Sequence, residues 1–427
     1  MRRIKMLQKD EVEQDGLPLK ASPKWPRTFI SLSNRNFRLY FLGMFISFMG
    51  LQMQQLAQNY LIYDMTGLAL FIGYVSAASG GSILLLSLLG GAMADRVGKR
   101  NLLATTQAGI AVLTLVLAVL ISIGAIEVWH LIVGAVLLGV VSAFNMPARQ
   151  SFVPELVDKR ELMNGLALTS GGMNLSRVAG PAVAGILIAA VGVATVFYIK
   201  VAAYAIFVLT LLMIPVMGRA SSQSSTSVLG AMKEGLVYIG GNRVVLTLLI
   251  MSLVPIVFGM PYIYMLPVFQ KDVLHVGASG LGYLMSATGA GAVAGVLIVA
   301  SLGDFRRKGL MLLATGVAFG LALILFAFLS RMGSFPLSLV SLALVGAASS
   351  AYMAINNTLI LSNVPEEVRG RVMGLYMMTF GLNSLGTLPT GAITDSLGAP
   401  LAVGAGGLIT ALFVAVVALR RPMVRKL

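Results

Sequence analysis

The residues of this chain that could do chemistry are amides, hydroxyls and two cations that lie inside long apolar stretches. Gln52, Gln55 and Asn59 fall on one face of the first stretch, because helix positions three and four apart point the same way. Side chains of this kind hydrogen-bond either a polar solute or a neighbouring helix. Both readings stay open for the full candidate solute-binding set: Gln52, Gln55, Asn59, Arg177, Tyr262, Asn356, Asn357 and Asn383.

Arg177 is the candidate with the strongest chemical demand. It lies about 21 Å along the fifth apolar stretch, at 1.5 Å per residue, and no Asp or Glu lies near the centre of any stretch. A cation at that depth costs about 2.5–3.5 kcal/mol on insertion scales unless it is satisfied. The sequence leaves two possibilities, recognition of an anionic solute group or a permanent bridge to helix carbonyls. Lys200 is predicted to reach the outer interface through its flexible stem.

Metal, redox and hydrolytic chemistry have no residues to support them. The chain contains 0 cysteines and only His130 and His275, which are far apart in sequence, so we expect no metal site and no cofactor. No convergent catalytic set, selectivity-filter loop or Walker motif is visible. A membrane-embedded enzyme and a channel are therefore the weaker alternatives, and the chain is not expected to be an enzyme.

Composition places the chain in a lipid bilayer. Of its 427 residues, 57% are hydrophobic and 11% charged, against roughly 45–50% and 25% in soluble domains. The net charge of +15 does not indicate nucleic-acid binding, because the basic residues are distributed between apolar stretches.

Twelve apolar windows of transmembrane length are present, and they predict an all-α membrane protein of two six-helix bundles. The first six windows are 37–63, 70–94, 102–124, 129–146, 163–191 and 193–217; the next six are 244–269, 278–302, 309–330, 335–361, 372–393 and 401–419. The predicted domains are a tail (1–36), a first bundle (37–217), a linker with an amphipathic helix (218–241), a second bundle (242–419) and a short tail (420–427).

Basic residues predict the orientation. With a cytoplasmic N-terminus, only Lys271 and Arg331 of the 31 lysines and arginines fall in outer loops, and only Arg177 and Lys200 fall deep within the predicted spans, since Arg38 lies at the inner edge of the first. Cytoplasmic loops carry such an excess of positive charge. We therefore expect both termini and the linker in the cytoplasm, and a multi-pass protein of the cell inner (plasma) membrane.

An internal repeat relates the two halves. Asp95 and Asp304 are 209 residues apart, and Gly73 and Gly282 recur at the same offset. Each repeat holds an even number of spans, so both enter from the same side and are parallel. Small residues four apart allow close backbone approach, so the second, fifth, eighth and eleventh spans are predicted to be packing helices.

The segment Gly90-Gly91-Ala92-Met93-Ala94-Asp95-Arg96-Val97-Gly98-Lys99-Arg100 resembles the signature of the major facilitator superfamily between its second and third helices. A weaker copy follows Gly303. The segment from Asn145 to Pro181 is similar to the subgroup that contains siderophore and drug exporters. This resemblance implies the major facilitator fold, with conformational gating by Asp95, Arg96, Gly98, Arg100 and Asp304.

The fifth span carries a small-residue version of the antiporter motif of the same superfamily. Gly180 and Pro181 match its Gly-Pro step, and the resemblance implies a gating role for both. One position departs from the pattern: Ala135 stands where proton-coupled drug antiporters of the superfamily often have an arginine. Proton coupling is thus expected from the resemblance and not from this position.

Together these observations predict a secondary transporter that exports a small organic solute, drug-like or siderophore-like, by alternating access as a proton antiporter. An importer or facilitator of a small solute or lysolipid on the same fold is the nearest alternative. The expected partners are the solute and the bilayer, with the proton gradient as energy source, and we expect a monomer.

Overall fold

The computed structural model describes residues 27–158, 160–216, 228–303, 307–425 and 427, with the backbone alone for residues 27, 87–96, 146, 147, 150, 228, 229, 231, 232, 367, 377 and 380. Within these ranges the chain is helical and forms no strand. The helices of the first half are α1 (Arg35–Thr66), α2 (Ala69–Arg96), α3 (Lys99–Ser122), α4 (Val128–Leu156), α5 (Leu162–Val191) and α6 (Val193–Leu212). The rest of the described chain contains α7 (Val228–Gly241), α8 (Arg243–Val273, interrupted), α9 (Ala278–Ser301), α10 (Lys308–Arg331), α11 (Phe335–Ser362), α12 (Glu366–Leu397) and α13 (Ala399–Arg420).

Ten helices of the described chain are long and apolar enough to cross a membrane. The two further long helices, α1 and α12, have 32 residues each, but amides, hydroxyls and charged residues dilute their apolar character. The all-α membrane fold is confirmed, whereas the count of twelve spans stays a prediction. The predicted domain boundaries stay predictions too, and residues 217–227 of the linker lie outside the described ranges.

Local sequence signals explain where helices begin and end. The Asn34 side chain accepts the backbone N–H groups of Asn36 and Phe37 and so caps α1, as expected of an asparagine at this position. Gly67, Gly192 and Gly398 adopt φ of 65°, 87° and 88° at the connections that follow α1, α5 and α12. Positive φ suits glycine because it lacks a Cβ atom. The short connections leave consecutive helices antiparallel.

Helix α8 is broken rather than continuous. A π-helical turn, Pro255–Gly259, separates Arg243–Val254 from Tyr262–Val268, and a second π-helical turn, Phe269–Val273, ends the helix. Prolines lack the N–H that would continue the regular ladder, and three of them, at 255, 261 and 267, lie in this segment. Such irregular backbone is tolerated at membrane depth where protein surrounds it or water lines a cavity.

The helices form two bundles that meet along two seams. Helices α1–α6 pack among themselves, as do α8–α13, and the bundles are joined through α2 with α12 and α5 with α9. Gly73 on α2 faces Leu388 on α12, and Gly282 on α9 faces Pro181 on α5. Helices α2, α5, α9 and α12, which contain the second, fifth, eighth and eleventh predicted spans, are therefore the packing helices that their small residues predicted.

The apolar core differs between the two ends of the molecule. We call the end where α1 begins the basal end and the opposite one the distal end. Distally, one continuous cluster joins both bundles, for example Leu56 and Ile62 with Leu266 and Phe269. Basally, the described core divides into two separate clusters, one around Tyr40, Phe152 and Phe207 and the other around Val245, Tyr352 and Val414. The bundles are thus closed together distally and parted basally.

Helix α4 extends past the predicted fourth span. That span was predicted as 129–146 and agrees with the membrane-crossing stretch Val128–Asn145, whereas the helix itself continues to Leu156. The Asn145 amide donates to Thr106 at 2.8 Å, and Arg149 donates to Ser47 at 3.3 Å. Because the bundle satisfies these polar groups internally, the helix continues where hydropathy alone indicates a loop.

Candidate substrate cavity and gates

One face of helix α5 is exposed to solvent as far as Arg177 and is buried beyond it. On the basal side the exposed residues of this face are Met163, Leu166, Ser170 and Arg177, at helical spacings of three, four and seven. On the distal side the same face continues through Pro181, Ala184 and Ile188, which are all buried. The face lies between the residues of α5 that contact α1 and those that contact α9. Arg177 therefore stands at the closed end of a central cavity that opens basally.

The Arg177 side chain has no hydrogen-bond or ion-pair partner among the described residues. It is exposed despite lying 15 residues from the start of a 30-residue helix. The predicted permanent bridge to helix carbonyls is thus not observed. The sequence-based alternative, a cation available to a solute, fits the observed position, although its role stays a prediction.

The amides of α1 divide between packing and the cavity. A Cβ atom at Gly180 would lie 2.7 Å from the Gln52 Cβ, so Gln52 lies where α1 crosses α5. Gln55 is partly exposed, whereas Asn59 is 7% exposed and buried. The structure thus leaves Gln52 and Gln55 as the members of this group with some access to solvent.

The candidates of the second bundle are mostly internal. The Asn356 amide donates to the Ser252 hydroxyl at 2.5 Å and to the Leu248 carbonyl at 3.3 Å, which ties α11 to α8. Tyr262 is only 3% exposed. The side-chain oxygens of Asn356, Asn357 and Asn383 are buried without a partner among the described residues. Asn356 therefore joins two helices through its amide nitrogen, and all three side chains retain an unused hydrogen-bond acceptor.

Two buried cations of the first bundle were misjudged from the sequence. Lys200 does not reach the interface: it is 2% exposed, donates to the Gln54 side chain and lies 5.0 Å from the Tyr204 ring centroid. Arg149 lies beyond the predicted fourth span, yet it is only 9% exposed, with its guanidinium 4.5 Å from the Phe48 ring centroid. The sequence did contain a polar residue that could pair with Lys200: Gln54 lies on α1, next to Gln55 of the predicted polar face.

The distal closure combines several polar contacts between the bundles. Asp395, near the end of α12, accepts the backbone N–H groups of Ala69 and Leu70 at 2.7 and 3.0 Å, and so caps the start of α2. The Tyr63 hydroxyl donates to the Asp272 carboxylate, and Lys271 pairs with Asp64 at 3.0 Å. A carboxylate at a helix N-terminus is favoured by the free N–H groups and the helix dipole.

We expect Asp395→Asn to loosen this closure. Loss of the charge weakens the cap by about 1 kcal/mol, which corresponds to a roughly fivefold shift between two states. The reporter is Ser76→Cys in the cysteine-free chain, because Ser76 on α2 is 8% exposed and faces Tyr264 of the other bundle. Thiol labelling of Cys at this position should become several-fold faster.

The matched control is Asp64→Asn. The Asp64 and Lys271 side chains are 54% and 45% exposed, and exposed ion pairs contribute little, so labelling should change less than twofold. Equal labelling rates in the parent and Asp395→Asn proteins would show that the cap does not hold the distal end closed.

The predicted gating residues of the basal end are described only in part. The side chains of Asp95 and Arg96, and all of Asp304, lie outside what the structure describes, so their roles stay predictions. Gly98 precedes the first residue of α3, and Arg100 donates to the Ile214 carbonyl at 2.8 Å. Lys99 pairs with Glu155 on α4, and Arg371 on α12 pairs with Glu234 on α7 at 2.7 Å.

Gly180 and Pro181, the other predicted gating residues, lie at helix crossings. A Cβ atom at Gly282 on α9 would lie 2.7 Å from the Pro181 carbonyl oxygen. Pro181 has no N–H, which leaves the Arg177 carbonyl without its regular helical donor, and that carbonyl faces Gly289 on α9. The motif residues therefore shape the α5–α9 seam next to the closed end of the cavity.

Two parallel helical bundles around a one-sided cavity define the class of multi-pass membrane transporters. The sequence comparison agrees: the chain belongs to the major facilitator superfamily, in a family described as "Transmembrane secretion effector", whose model matches residues 27–427. This confirms the predicted resemblance. The protein is therefore a membrane transporter of small solutes and not an enzyme.

Relatives and solved structures agree with this family. The chain is 27% identical to the staphyloferrin A transporter of Staphylococcus aureus, over 84% of this chain and 90% of that protein. It is 26% identical to the multidrug efflux pump Tap of Mycolicibacterium fortuitum (79% and 84% covered) and 28% identical to the enterobactin exporter EntS of Shigella boydii (88% and 86%). The nucleoside transporter NupG shares the fold, with a TM-score of 0.71 at 16% identity over 92% of this chain and 99% of that one.

Proposed function

We propose that this protein exports a small organic solute across the plasma membrane by alternating access, as a monomer driven by the proton gradient. The observation that carries the proposal is the division of the core, which is shared between the bundles distally and separate basally. The two bundles meet at seams that contain glycines. Such seams allow one bundle to rotate against the other as a rigid body. Exporters among the relatives support the direction.

The orientation of this cycle follows from charge. Basic residues at the basal end include Arg35, Arg38, Lys99, Arg100 and Arg160, whereas few lie distally. The positive-inside rule then assigns the basal end, and with it both termini, to the cytoplasm. A solute would enter the cavity from the cytoplasm and leave when the distal closure opens.

Uptake by inverted membrane vesicles tests direction and coupling together. Vesicles that contain the protein should accumulate carboxyfluorescein, ethidium or 2,3-dihydroxybenzoate when their lumen is acidified, and nigericin should abolish the uptake by collapsing the pH gradient. Vesicles without the protein are the control. Uptake that is unaffected by nigericin would indicate facilitated diffusion, and uptake confined to right-side-out vesicles would indicate import.

A further inference from the structure

Arg177 is placed to bind a charged group of the solute. We propose that Arg177 recognises a carboxylate of the transported solute at the closed end of the central cavity. This inference rests on the proposed transport function and deepens it, because it names the chemical class of the solute and the residue that binds its charged group.

The position of Arg177 is that of a binding residue rather than a surface charge. It lies near the middle of α5, with its side chain exposed, while Pro181 and Ala184 on the same helix face are buried. A solute that enters from the basal end therefore reaches the guanidinium at the closed end of the cavity. A group bound there also contacts the α5–α9 seam that must separate when the distal end opens.

The charge around the cavity favours an anion. The described helices of the two bundles carry no Asp or Glu in their central portions, so no carboxylate of these portions neutralises Arg177. The two buried cations within the described helices of the first bundle are already engaged, Lys200 with Gln54 and Arg149 with Ser47 and the Phe48 ring. A guanidinium held in a low-dielectric cavity binds carboxylates through paired, charge-assisted hydrogen bonds.

The carbonyl oxygen that Pro181 leaves without a helical donor is not a partner of the Arg177 guanidinium. Pro181 frees the Arg177 carbonyl oxygen, but this carbonyl faces α9, where a Cβ atom at Gly289 would lie 2.9 Å away. The guanidinium donates to none of the described carbonyls. A cation that is solvated by cavity water in the resting state gains interaction energy when an anion replaces the water, and that differential affinity can shift the conformational equilibrium.

Matched pairs of probes test the proposal in detergent solution. Salicylate and 2,3-dihydroxybenzoate are compared with their neutral amides. Binding is measured as the ligand concentration that gives half of the maximal rise in the thermal midpoint of the purified protein. The parent should bind each carboxylate about tenfold or more tightly than its amide. Arg177→Gln should lose this discrimination, and Arg177→Lys should keep part of it because the charge remains while the planar fork is lost.

Arg160→Gln is the matched control. Arg160 is an exposed arginine at the basal surface, so its replacement should leave the discrimination unchanged. The inference is overturned if neither carboxylate stabilises the parent, if the parent binds amides equally well, or if Arg177→Gln keeps the full discrimination. If Arg177→Gln does not fold, the comparison of carboxylate and amide binding by the parent and by Arg177→Lys still tests the proposal. These measurements need no gradient, so a failure of export or proton coupling in vesicles is a separate result.

Discussion

Gly282→Leu is expected to reduce transport more than tenfold and to hold the distal end open. A Cβ atom at this position would lie 2.7 Å from the Pro181 carbonyl oxygen and 3.1 Å from the Gly185 Cα atom. Both are backbone atoms, so a side chain fits only if α5 and α9 separate. Each bundle has its own basal core, and the variant should therefore still insert and fold.

Two measurements check this expectation. Solute uptake by inverted vesicles gives the loss of transport, and thiol labelling of the Ser76→Cys reporter gives the distal opening. Gly171→Leu is the matched control, because it lies on α5 and a Cβ atom there would meet no atom within 4 Å. Transport by Gly282→Leu at the parental rate would mean that the α5–α9 seam need not close tightly during the cycle.

Gln54→Leu is expected to destabilise the protein strongly, whereas Lys200→Met should leave its stability unchanged or raise it. Lys200 and Gln54 are 2% and 3% exposed, and the Gln54 side chain is the hydrogen-bond acceptor for the Lys200 ammonium. Removing one partner of a buried hydrogen bond costs about 1–3 kcal/mol, and more for a charged group. Replacing a buried charge by an apolar side chain of similar volume is often neutral or stabilising.

The apparent thermal midpoint in detergent measures both effects, with the double variant completing the cycle. Gln54→Leu should unfold at a clearly lower temperature than the parent. The double variant Gln54→Leu, Lys200→Met should recover most of the loss, because no charge is left unpaired. Gln54→Leu as stable as the parent would show that Lys200 finds another partner or water.

The sequence predicted the bilayer, the helical class and the packing seams because each depends on local composition. Backbone groups in lipid must be paired within a segment, so long apolar windows predict helices without knowledge of their neighbours. Small residues permit close approach wherever the partner lies. This is why Gly73 and Gly282 identified α2 and α9 as packing helices. Composition did not indicate that α4 continues past its apolar window, because Thr106 and Ser47, which satisfy Asn145 and Arg149, lie on other helices.

The sequence by itself determined that this is a membrane transporter of two repeated bundles, and it singled out Arg177 as the cation with no nearby carboxylate. The tertiary structure decided which polar groups meet: Lys200 with Gln54, Asp395 with the start of α2, and Arg177 with the open cavity. These outcomes depend on the rotation and depth of each helix relative to helices far away in the chain. Hydropathy carries little of that information, because a helix surrounded by lipid and protein is apolar on nearly every face.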